Sequence, residues 1–126
     1  MKKIINTNKA PKPIGPYNQS ILAGNTLYIS GQIAIDPSTN ELVLDTIENE
    51  TQQVLNNLES ILIAADLNLE NVVKCSIFIS DMNLFGEINE VYSQYFNPET
   101  APARETVAVK GLPKNVNVEI SAIAVI

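Results

Sequence analysis

The chain has 126 residues, 45% of them hydrophobic and 17% charged, which describes one compact domain over residues 1–126 rather than a disordered segment. Its net charge is -6 and only Lys2 and Lys3 are adjacent basic residues, so a phosphate-tracking nucleic-acid surface is not expected, while a small anion bound locally remains open. With no histidine and a single cysteine, the chain has no internal disulfide, no soft-metal ligand set and no Ser-His or Cys-His catalytic pair.

The start, Met1 to Asn6, turns polar too early for a secretory signal, and no apolar run approaches membrane-spanning length. A soluble cytoplasmic protein with no membrane partner is the expectation. Residues 11 to 16 hold three prolines, which remove donors and fix φ, so they predict an ordered irregular segment leading into Tyr17 to Leu22. Gly24-Asn25 predicts a hairpin turn into a strand over Leu27 to Ile33. Asp36 to Asn40 reads as another turn.

From Thr46 to Ala65 the apolar residues Val54, Leu58, Ile61, Leu62 and Ala65 recur at helical spacing, with Gln53, Asn57 and Glu59 on other faces. Asp66 suits the left-handed position near that helix end. Residues 72 to 79 are β-branched and apolar and predict a strand, with Cys75 a buried, inert thiol. A second helix is expected over 84 to 95 and is stopped by Asn97-Pro98. Strands follow over 105 to 110 and 116 to 126. The order β-β-α-β-α-β-β gives an α+β domain with both helices on one face of a sheet. The last strand is largely apolar on both faces, which predicts a homo-oligomer covering the side away from the helices.

Arg104 is the only arginine; the other seven basic residues are lysines. Its planar fork suits two-point contact with a carboxylate or phosphate, so it is an anion anchor, one half of a structural ion pair, or a solvated surface group. Glu119 lies inside an apolar strand, where burial raises a carboxyl pKa towards the range of a working acid or base. It too is either that or a bridge to a lysine or Arg104. Tyr17 is a pocket wall or a core tyrosine, and Ser30-Gly31 marks a close ligand approach or a bulge. Asn89 sits on the second helix.

Together these residues resemble the RidA/YjgF family of imine/enamine deaminases. The matching segments are Ala10-Pro11, Ile14-Gly15-Pro16-Tyr17, Leu27 to Ile33, Asn89-Glu90-Val91-Tyr92 with Tyr95-Phe96, Pro102-Ala103-Arg104, Leu112-Pro113-Lys114 and Val118-Glu119-Ile120. The resemblance implies a chorismate-mutase-like sheet and a homotrimeric barrel with ligand sites between subunits. It implies hydrolysis of 2-imino acids and their enamines, such as 2-aminoacrylate and 2-iminobutanoate, to 2-keto acids and ammonia, with no metal or cofactor. In that scheme Arg104 binds the substrate carboxylate, Glu119 positions water, and Tyr17, Ser30, Gly31, Asn89 and Thr106 line the cleft. Thr106 is a departure, since members often carry cysteine there, and Glu105 precedes it in place of a small residue. The competing readings are a non-catalytic 2-keto acid or amino acid sensor and an RNA-cleaving translation inhibitor.

Overall fold

Successive side chains of a strand point to opposite sides, so a strand with one apolar row commits that row to a core. Val118, Ile120, Ala122 and Ala124 form such a row, and all four are buried in the computed structural model, which describes residues 1–126. Strand β8 (Val118–Val125) lies inside a sheet of order β1-β2-β3-β8-β6-β7. The others are β1 (Lys2–Ile5), β2 (Ser20–Ala23), β3 (Thr26–Gln32), β6 (Val72–Ile79) and β7 (Ala103–Ala108). Only β6 and β7 run parallel. A small separate hairpin joins β4 (Ile35–Asp36) to β5 (Glu41–Leu42).

Helix α1 (Ile47–Ala64) starts where the pattern predicts, with the Thr46 hydroxyl accepting from Asn49 N–H. It is capped at Ala65, and Asp66 just beyond takes a φ of 60°. Helix α2 (Phe85–Tyr95) follows, and both helices pack on the same side of the sheet. Leu55, Leu58, Ile61 and Leu62 from α1 and Ile88, Val91 and Tyr92 from α2 share one core with Leu27, Ile29, Cys75, Ile77 and the inner row of β8.

Three elements depart from the sequence expectation. Strand β1 is absent from it, because two lysines and two isoleucines carry no legible period; β2 pairing alone extends it at the sheet edge. The β4–β5 hairpin is equally too short to read. Strand β7 begins at Ala103, so Arg104 lies inside the parallel ladder opposite Cys75 rather than ahead of it.

Two polar side chains on α1 are buried. Asn57, expected on an outer face, donates to the carbonyls of Ile33 and Ile35 and so ties the helix to the segment after β3. The Glu50 carboxylate accepts from Asn117 N at 2.8 Å, Asn117 Nδ2 at 2.8 Å and Val118 N at 3.2 Å. These bonds fix the first residues of β8. Removing one partner of such a set leaves donors without water or protein. Glu50→Leu is expected to lower stability by about 3 kcal/mol in urea titrations, far more than an exposed glutamate would.

Candidate active site

The six-stranded sheet separates the chemistry-bearing residues into two groups. Parallel pairing sets Arg104 opposite Cys75 and Thr106 opposite Ile77, and Cys75 and Ile77 belong to the core row. Arg104 and Thr106 therefore lie on the helix-bearing side, along the β7 edge. Glu119 sits between the core residues Val118 and Ile120 and opposite Phe78, so it projects to the other, open side.

The Arg104 guanidinium makes no ion pair; the one salt bridge of the structure joins Lys74 to Glu105 on the open side. It rests 4.7 Å from the centre of the Tyr92 ring and 5.6 Å from that of Phe85. One terminal nitrogen donates to Asn89 Oδ1. Aromatic faces and a neutral amide orient the cation without neutralising it. Nearby on the same side, the buried hydroxyls of Thr106 and Tyr92 have no hydrogen-bond partner. Burial also pushes the Tyr92 phenol well above its ordinary pKa, so it stays a neutral donor.

On the open side Ile14, Tyr17, Ser30, Gly31, Ile33, Pro113 and Glu119 surround a hollow of about 370 Å³. The floor depends on Gly31. A Cβ there would lie 2.7 Å from Glu119 Oε2, so only a glycine lets the carboxyl lie down across the strand. The register shift between Ile29 and Gln32 falls at the same place, so Gly31 serves both a bulge and a close approach. Burial raises the Glu119 pKa above the usual glutamate range. Tyr17 is half exposed and folds back on its own turn, its hydroxyl accepting a long bond from Ile14 N–H. The Ser30 hydroxyl is committed to the Asn18 carbonyl at 2.6 Å, so it holds the wall.

Tyr17, Ser30, Gly31 and Glu119 are thus brought together, and so are Arg104, Asn89 and Thr106, but on opposite sides of one sheet. The aromatic cradle of Phe85 and Tyr92 did not emerge from the sequence. Their helical spacing of seven was the available signal, and it reads equally well as core packing.

A model of the family described as endoribonuclease L-PSP matches residues 7–126. A RutC family protein of Pyrococcus horikoshii is 53% identical over 124 residues, covering 98% of each chain. A mouse protein named 2-iminobutanoate/2-iminopropanoate deaminase is 46% identical over 125 residues, covering 99% of this chain and 92% of its own. The crystal structure of YyfA from Yersinia pestis, described as a protein of the conserved Rid family, superposes with a TM-score of 0.96 at 44% identity over the full length of both chains.

Gly31→Ala is expected to fold within about 1 kcal/mol of the parent, because the atom displaced is the end of a flexible side chain. The Glu119 carboxyl should then turn towards water and titrate closer to an ordinary glutamate, which carbon-13 NMR of the carboxyl would follow. Thr106→Val removes an unpartnered buried hydroxyl, so its melting temperature should hold or rise while affinity for an anionic ligand falls.

Proposed function

The chain belongs to the endoribonuclease L-PSP family, the RidA/YjgF family, and from that premise we propose that it hydrolyses reactive 2-imino acids to 2-keto acids and ammonia. The observation that carries the reading is an oriented, unneutralised arginine. Arg104 keeps its charge and part of its fork free, beside two unsatisfied hydroxyls, which is an arrangement for a carboxylate that also bears a polar substituent. The 46% identity to a named imine deaminase supports that class of substrate.

The chemistry asks little more of the protein. An imine carbon is already electrophilic, and Arg104 orients it by its carboxylate. Glu119, ionised, takes a proton from a water molecule as the water oxygen bonds to the imine carbon. The imine nitrogen takes that proton to give the neutral carbinolamine. Glu119, ionised again, then draws the proton from the new hydroxyl and passes it to the nitrogen as the C–N bond breaks, so ammonia leaves and the C=O bond forms. Glu119 ends ionised, as it began. A carboxyl with a raised pKa is the stronger base for this step.

Both groups must reach one ligand, and a single chain holds them on opposite sides of its sheet. We therefore propose that the site is completed between subunits, the β7 edge of one copy meeting the open face of the next. Such a contact joins two different surfaces and closes as a ring, a homotrimer being the form the family resemblance implies. The open face offers Ile4, Tyr28 and Val107 to that contact. Neither the sensor reading nor RNA cleavage is favoured by an observation at the site.

An amino-acid oxidase reaction that releases 2-iminobutanoate supplies the assay; keto-acid formation unchanged by the protein would overturn the enzyme reading. Arg104→Lys keeps the charge but loses the fork, and KM is expected to rise on the order of tenfold or more. Glu119→Gln should slow hydrolysis on the order of a hundredfold with ligand affinity retained. For stability the sign is reversed. A carboxyl whose folded pKa is raised contributes most when protonated and loses that contribution as pH rises through the folded value, so Glu119→Gln should melt higher than the parent at neutral pH and not at acid pH. The hydrolysis rate of the parent should fall as pH drops through that same raised value.

A mixture of inactive Arg104→Ala and Glu119→Gln chains tests the shared site. After unfolding and joint refolding in equal amounts, random trimers would regain about a quarter of parent activity, since each mixed ring restores one site. No recovery would place both residues in sites within one chain.

A further inference from the structure

The wall of the hollow is a segment with almost no bonds of its own. Within residues 7 to 17, outside every helix and strand, the one backbone-to-backbone hydrogen bond runs from Tyr17 N–H to the Gly15 carbonyl. Pro11, Pro13 and Pro16 cannot donate at all. Yet this segment carries Ile14 and Tyr17 to the rim of the site.

Gln19 supplies what the segment lacks. Its side chain is 2% exposed. Oε1 accepts from Thr7 N at 2.7 Å, and Nε2 faces the carbonyls of Pro11 at 2.8 Å, Thr7 at 3.0 Å and Ala10 at 3.2 Å. Its own backbone is fastened as well, N–H to Asn6 Oδ1 and carbonyl to Ser30 N–H. One amide group thus gathers both ends of a turn around itself, two residues after Tyr17 and directly before β2, while its backbone carbonyl ties it to Ser30 on β3. We propose that Gln19 is a positioning residue that sets Tyr17 over the Glu119 hollow and thereby sets affinity for the imino-acid ligand. The kinetic part of this rests on the deaminase reading; the placement of Tyr17 does not.

Gln19→Glu tests it at constant size, because a carboxylate has no proton to give to three carbonyl oxygens. The chain has four tyrosines, so fluorotyrosine labelling gives four fluorine-19 signals, and Tyr17→Phe identifies the one from Tyr17. In Gln19→Glu the Tyr17 signal should shift or broaden with the other three in place. KM for 2-iminobutanoate should rise on the order of tenfold with kcat within about threefold. An unmoved Tyr17 signal in a folded variant overturns the proposal, as does a fall in kcat alone. Absence of imine hydrolysis in the parent would sink the deaminase reading while the fluorine signals still decide the placement. Should Gln19→Glu not fold, hydrogen exchange on the parent decides. The Gln19 side-chain amide and Thr7 N–H must be protected and must gain protection with 2-oxobutanoate bound, and ready exchange of either overturns it.

Discussion

The alternation of β8 is the constraint on which the rest depends. It sits between β3 and β6, and its inner row of Val118, Ile120, Ala122 and Ala124 packs against α1 in the core that α2 also joins. Once that row is committed, Glu119 has no choice of side, because a one-residue slip would put a carboxyl in the core and four apolar side chains outside it. Glu50 enforces the register from the other end by gripping the N–H groups of Asn117 and Val118. A buried carboxylate on a helix therefore fixes where a half-buried carboxyl on the sheet can stand.

The two charged groups of the site are left unneutralised in different ways. Glu119 is desolvated by the strand it lies across and by the hollow above it, which favours its protonated form. Arg104 meets no carboxylate; the protein holds it by ring faces and an amide. A structural ion pair between them would have quenched both. The sheet prevents it by placing them on opposite sides, so each remains available to something that comes from outside the chain.

That separation also gives the open face its meaning. Ile4 and Tyr28 lie exposed on β1 and β3, and the Lys74–Glu105 pair spans the far edge of the same face. A surface of this kind is costly to leave in water when it is contiguous. The loop that walls the hollow is organised in the opposite manner, by one buried amide with every bonding position used. That amide anchors the base of the loop, and Ile14 and Tyr17 stand exposed at the rim of the hollow that the loop walls.

Much of this was legible in the residues themselves. Helical spacing located α1 to within a residue, β-branched content located β6, and the positive φ values at Gly24, Asn40 and Asp66 fall where the turn residues stand. The lone arginine and the glutamate inside an apolar strand stood out by type and setting. What the chain order could not reveal was relative side. A strand's period tells which residues share a face, but not which face of the neighbouring strand joins it; that depends on pairing register, a long-range choice made by β6 when it paired β7 in parallel and β8 antiparallel. The burial of Asn57 and Glu50 and the wrapping of residues 7 to 17 around Gln19 were hidden for the same reason. The partners of Asn57 and Glu50 are far away in sequence and those of Gln19 lie in a segment with no period, so only packing brings them within bonding distance.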